Sequence, residues 1–229
     1  MASSAPAALL FDLDNTLTPR RRCVAAFTAR FARDFADPLD EFDLDALTEI
    51  FVQADRGGYN PRRAEDLIDR IDWRRAPTTI EVEEYWRYQF PETVVPRPGL
   101  FGLFKRLRQG GFKVGVVTNG GVVGQTRKID RLGLGDFIQS LIISEAVGCK
   151  KPDAEIFALA CRDLGVVAAQ CWFVGDHPLI DVAGAMDAGM TGVWIHDGES
   201  GHEWPDDLPP SDYEIDSLPA LNALISTTS

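Results

Sequence analysis

Residues 7–17 read AALLFDLDNTL, and the rest of the chain is best read outward from them. Residues 7–11 are an unbroken apolar run, the pattern of a strand covered on both faces in a parallel sheet. The run stops at two acids on alternate positions, Asp12 and Asp14. A buried strand that ends in paired carboxylates is a conflict between local rules, and such conflicts concentrate at functional sites. Solvent-facing strand-end acids give the same local pattern, so the stretch poses a question that the other motifs must answer.

Similar apolar runs recur at 112–118, 141–144, 171–174 and 192–196, and a last short strand and helix fall within 213–225. Helical periodicity separates them. Phe101, Phe104 and Leu107 mark one helix face, and Val122, Val123, Ile129 and Leu132 a second. Ile156, Phe157, Ala160 and Leu164 mark a third, and residues 182–188 a fourth. Strands that alternate with helices predict right-handed βαβ units and an α/β fold, a Rossmann-like doubly wound parallel sheet. In such a sheet the site lies beyond the carboxyl ends of the strands.

Residues 17–95 differ, because they hold no convincing strand. Val24, Phe27, Phe31 and Phe35 recur at helical spacing, as do Leu44, Leu47, Phe51 and Ala54. Leu67, Ile68 and Ile71, then Val82, Tyr85 and Trp86, continue the pattern, and Pro91, Pro96 and Pro98 mark the return to the sheet. The expected organisation is a core of residues 1–16 and 96–229 with an inserted helical cap at 17–95. Its start, directly after Asp12 and Asp14, places the cap over the mouth of the expected site.

The 229 residues are 45% hydrophobic, enough for a full core, and carry a formal charge of −12. That surface repels nucleic acid and anionic lipid, so neither is an expected partner. Cys23, Cys149, Cys161 and Cys171 form no CxxC pair and read as reduced thiols. His177, His196 and His202 fit no zinc spacing. The first residues lack a basic region and a long apolar run, which predicts neither signal peptide nor membrane span and a cytoplasmic protein, monomer or homodimer.

Three further motifs end apolar strands. VVTNG, residues 116–120, offers a hydroxyl, an amide and a Gly-Gly turn whose backbone N–H groups can grip a phosphate; an ordinary capped turn reads the same. In CKKPDAEIF, residues 149–157, Pro152 biases Lys151 to an extended shape and opens a helix. Lys151 there can neutralise a phosphoryl group or carboxylate, and Lys150 reads as solvated. FVGDHPLID, residues 173–181, ends in Asp176 with Asp181 a helical turn later, hard oxygen ligands of the kind magnesium takes or simple helix-start acids. The joint pattern decides. If the strand ends converge, the acids repel one another by roughly 4 kcal/mol per pair at about 4 Å and an effective dielectric near 20. A divalent cation and Lys151 would relieve that repulsion.

These four motifs, in this order, resemble those of the haloacid dehalogenase superfamily, whose members are mostly phosphatases, and the likeness spans nearly the whole chain. The resemblance implies a magnesium-dependent phosphatase acting on a small phosphate ester. It implies that Asp12 is the nucleophile, and that Asp14 protonates the leaving oxygen and then deprotonates water. Thr118 and Asn119 are implied to bind phosphoryl oxygens, with Lys151 orienting Asp12. Asp176 and Asp181 are implied to hold Mg2+ with Asp12 and the Asp14 backbone carbonyl. A dehalogenase or a phosphosugar mutase shares the fold, and a binding module without catalysis is the alternative of another class. In the cap, Arg20, Arg21 and Arg22 read as a solvated basic run, one of which could meet a second substrate anion. Tyr59 and Asn60 lie in a turn that either joins helices or reaches the substrate. Trp73, Tyr85, Trp86 and Tyr88 read as cap core or surface.

Overall fold

The computed structural model describes residues 5–37, 39–58, 60–198 and 201–227. The chain enters as strand β1 (Ala8–Phe11) and continues through helices α1 (Arg20–Asp34), α2 (Leu44–Asp55), α3 (Arg63–Arg70) and α4 (Thr79–Gln89). There follow α5 (Leu100–Gln109), β2 (Lys113–Thr118), α6 (Val122–Leu132), β3 (Ser140–Ile143), the short α7 (Ser144–Val147) and α8 (Ala154–Leu164). The last elements are β4 (Cys171–Gly175), α9 (Gly184–Asp187), β5 (Thr191–Ile195), β6 (Tyr213–Ile215) and α10 (Leu218–Thr227). Two compact units result, Met1–Pro19 with Pro96–Ser229, and Arg20–Val95.

The first unit is built on one parallel six-stranded sheet in the order β3-β2-β1-β4-β5-β6. β1 is fully buried, as its unbroken apolar run requires. Phe11 pairs in register with Val116 on one side and Val174 on the other. The residues that follow these three strands therefore emerge side by side, at the point where the strand order reverses. On one face, α8 packs Ile156, Phe157 and Ala160 against Leu10, Val117 and Phe173, with the Phe157 and Phe173 rings edge to face at 5.1 Å. On the opposite face of the sheet, Phe11, which alternates with Leu10 along β1, meets Phe104 of α5 at 5.3 Å.

One element departs from the sequence reading. Residues 182–188 were expected as a plain helix; instead a π-helical turn, Pro178–Ala183, precedes α9. The wider turn carries Asp181 back toward β4, where its Oδ2 accepts from the His177 N–H at 3.1 Å. Two glycines permit this approach. A Cβ on Gly175 would lie 2.4 Å from that of Asp181, and one on Gly184 would lie 2.7 Å from that of Pro152.

The second unit is helical. Phe27 of α1 centres an aromatic cluster, with Trp86 at 4.5 Å, Phe90 at 5.6 Å and Phe51 at 5.9 Å. Trp86 is thus cap core, whereas Tyr88 is exposed. Arg20 corrects its own expectation. It is buried, not solvated, and its guanidinium grips Asp55 through Nε and Nη2 at 2.6 and 2.9 Å. Asn60 staples its turn, donating to the Ala54 carbonyl at 2.7 Å and accepting from the Arg62 N–H at 3.0 Å. Tyr59 lies outside the described residues. Among the described residues all four cysteines are free, and no helix is long and apolar enough to cross a membrane.

Candidate active site

Asp12 follows β1, Thr118 ends β2 and Asp176 follows β4, so the central strands deliver all three to one edge of the sheet. Lys151 arrives from the loop after α7, and Asp181 from the π-helical turn. Lys151 Nζ sits between two carboxylates, 2.5 Å from Asp12 Oδ1 and 2.6 Å from Asp181 Oδ1. Asp12, Asp176 and Asp181, all buried, each offer an oxygen within 4.8 Å of the others.

The electrostatics follow from that crowding. Burial, ahead of the neighbouring Asp181 and Asp14, pushes Asp12 up to about 7 in spite of the Lys151 ammonium. Burial, then Asp181 and Asp12, also holds Asp176 well above the carboxylate range. For Lys151, burial opposes the charge, but Asp12 and Asp181 outweigh it and hold the ammonium protonated beyond its ordinary range. When ionised, the three hard oxygen donors outnumber the one ammonium among them, and the raised Asp12 and Asp176 reflect that crowding. That donor set fits a small divalent cation such as magnesium.

Asp14 stands apart from this group. Lys128 Nζ contacts both of its carboxylate oxygens, at 2.8 and 2.6 Å, and Gln125 Nε2 donates to Oδ2 at 3.2 Å. Its side chain is therefore held by α6, not by the three acids expected to hold metal with it. Thr118 Oγ1 accepts a short hydrogen bond from Gln125. The Asn119 side chain is occupied by the main chain of Lys151, donating to its carbonyl at 3.0 Å and accepting from its N–H at 2.9 Å. This reciprocal pair fixes the base of Lys151.

Several contributors escape the sequence reading. Thr16 Oγ1 donates to Asp176 Oδ1 at 3.3 Å, and Trp194 Nε1 donates to the Asp176 carbonyl at 2.9 Å. Buried Arg97 clamps the loop after β1, donating to the Thr16 carbonyl at 2.8 Å, to the Asn15 carbonyl and to Asp197. His202 Nε2 lies 3.6 Å from Asp176 Oδ2, and the His177 ring lies 4.4 Å from that of His202, tilted by 43°. Gln125 and Lys128 carry a readable signal. With Ile129 and Leu132 they occupy the spacing of one helix face, and both are buried, while Val122 and Val123 are exposed.

A parallel sheet that gathers carboxylates, a hydroxyl and a lysine at its switch point defines a hydrolase class, and the chain belongs to the haloacid dehalogenase-like hydrolases, whose sequence profile matches residues 6–189. It is 34% identical over 219 residues to the glyceraldehyde 3-phosphate phosphatase of Methanopyrus kandleri, covering 91% of this chain and 92% of that one. It is 33% identical over 232 residues to the pyrimidine 5′-nucleotidase YjjG of Escherichia coli, covering 95% and 96%. Among solved structures, the HAD-hydrolase YfnB of Bacillus subtilis, bound to magnesium, superposes with a TM-score of 0.77 at 22% identity, covering 97% and 99%.

Proposed function

We propose that this chain is a magnesium-dependent phosphatase that hydrolyses small phosphate monoesters through a phospho-aspartate on Asp12. The observation that carries the reading is the Lys151 ammonium between Asp12 and Asp181, within a group of three buried carboxylates. Bound by Asp12, Asp176, Asp181 and the Asp14 backbone carbonyl, magnesium would neutralise the carboxylates and the phosphoryl oxygens.

Asp12 attacks phosphorus with a carboxylate oxygen. The ester P–O bond breaks, its electron pair stays on the leaving oxygen, and protonated Asp14 gives that oxygen its proton. Asp14, now a carboxylate, takes a proton from a water as that water attacks phosphorus. The bond to Asp12 breaks, inorganic phosphate leaves and the Asp12 carboxylate returns. Lys151 orients Asp12 and offsets charge as the phosphoryl group transfers, and Thr118 binds a phosphoryl oxygen. Asn119 serves through its grip on the Lys151 main chain. The relatives named for action on a triose phosphate and on pyrimidine nucleotides support a small organic phosphate monoester as the substrate class.

The test is release of inorganic phosphate from a panel including glyceraldehyde 3-phosphate, pyrimidine nucleoside monophosphates and phosphoserine. The expected result is magnesium-dependent release, stopped by EDTA and reduced about 10⁴-fold or more in Asp12→Asn. Turnover that survives in Asp12→Asn overturns the assignment.

A further inference from the structure

Helix α6 buries two polar side chains one turn apart, Gln125 and Lys128. Their partners explain the burial. Lys128 Nζ holds both oxygens of Asp14, and Gln125 Nε2 reaches Asp14 Oδ2, Thr118 Oγ1 and the Asn119 carbonyl. The Lys128 side chain is 7% exposed and that of Asp14 21%. The ammonium therefore grips the carboxylate from a buried position, while the Asp14 side chain keeps part of its surface exposed. The Gln125 amide ties the same carboxylate to the hydroxyl that ends β2.

We propose that Gln125 and Lys128 are positioning residues that aim Asp14 at the leaving oxygen and at the attacking water. This rests on the phosphatase reading and adds to it the device that sets the acid–base geometry. A proton donor must sit within hydrogen-bond reach of its target, and a displacement of about 1 Å costs on the order of 10²-fold in rate. Arg97 and a bridge to Thr18 hold the backbone of the loop that carries Asp14, but something else must fix its carboxylate. The α6 pair does so, and Gln125 references it to Thr118 and so to the phosphoryl group.

The experiment compares wild type, Lys128→Met, Lys128→Arg and Gln125→Leu, with magnesium, on an alkyl ester (glycerol phosphate) and an aryl ester (p-nitrophenyl phosphate). Glycerol needs a proton as it leaves; p-nitrophenolate does not. Lys128→Met should therefore lose about 10²-fold in kcat on glycerol phosphate with little change in KM. With p-nitrophenyl phosphate the burst of p-nitrophenolate should persist. The phosphoenzyme trapped by rapid acid quench should accumulate, because water attack has lost its base. Lys128→Arg should recover part of the loss. Equal losses on both esters, with a smaller burst and no phosphoenzyme accumulation, would overturn the proposal in favour of a purely structural role. Should Lys128→Met show no cooperative melting, Gln125→Leu, which keeps the ion pair, reads the same leaving-group dependence. Wild-type protein that releases phosphate from neither of these esters nor from any member of the panel above overturns the phosphatase reading, and the proposal that rests on it.

Discussion

Both units bury a cluster of charges, and the two clusters are balanced in opposite ways. In the helical unit Asp55 accepts two hydrogen bonds from Arg20 and lies 3.4 Å from Arg63. Arg63 also donates to the Gly58 carbonyl at 2.7 Å and lays its guanidinium over the Trp86 ring at 4.2 Å, and Arg20 lies over Phe90 at 5.2 Å. The fork geometry of arginine suits such a site, since it pairs and stacks at once. In the sheet unit, three carboxylates share one lysine; burial, then Asp181 and Asp14, drives Asp12 upward, and burial, then Asp181 and Asp12, drives Asp176 upward. In the helical cluster two arginines share one carboxylate and are held further by a carbonyl and two aromatic rings, so it fastens helices together. In the sheet cluster the acids outnumber the ammonium three to one, a set that an added cation would complete.

The contrast has a direct test in stability. Asp55→Ala strips the partner from buried arginines and should cost about 3–5 kcal/mol, the range for breaking a buried pair. Asp12→Asn, measured in EDTA, should cost far less or raise stability. It removes one of several mutually repelling acids, and Lys151 keeps Asp181 at 2.6 Å. Urea unfolding of both variants decides the matter, and equal losses would break the distinction between the two clusters.

A smaller effect separates them by pH. The Asp12 carboxyl rises from 3.8 to about 7 on folding, so the folded form holds this proton more tightly than the unfolded chain. An acid raised in this way contributes stability at low pH and loses it as pH climbs from about 4 through about 7. Asp176 shifts in the same direction. Metal-free protein should therefore melt at a lower temperature at about pH 8 than at about pH 5, as far as these two groups decide it. Magnesium, which competes with the protons, should restore more at the higher pH, up to about 2.7 kcal/mol at a hundredfold excess over its Kd. A magnesium-induced rise in Tm that is the same at both pH values would count against these acids as the binding site.

What the sequence makes legible depends on how far away each side chain's partners lie. The strands of the sheet stand out because both faces are buried, and Asp12, Thr118 and Asp176 stand out because they interrupt apolar runs. The spacing of Lys128 and Gln125 puts them on the inward face of α6, but the partner that explains their burial, Asp14, lies 114 and 111 positions earlier. Arg97 is hidden in the same way, since its acceptors are carbonyls of Asn15 and Thr16. The π-helical turn leaves no periodic mark, because six residues are too few to show a changed repeat. Arg20 is a different case. It starts the helix face that continues with Cys23, Val24, Phe27 and Phe31, so its spacing places it inward. Reading Arg20, Arg21 and Arg22 as one basic run obscures that.

The smallest expected effect calibrates the largest. Thr78 caps α4 in a reciprocal box: its Oγ1 accepts from the Glu81 N–H at 3.2 Å, and Glu81 Oε2 accepts from the Thr78 N–H at 2.8 Å. The Thr78 backbone N–H, and then its hydroxyl, which also donates to Glu81 Oε2 at 2.8 Å, pull the Glu81 carboxyl below its ordinary range. The pair is exposed, and water replaces much of what is lost when it is broken. Thr78→Ala should lower Tm by only about 2–4 °C. Phosphate release per folded molecule should not change, because Thr78 touches none of the groups assigned to the reaction. A loss as large as that of Asp55→Ala would mean that the helical unit is held by its helix starts. Its buried arginines, like the carboxylates of the sheet unit, would then have to be read as a site waiting for a ligand.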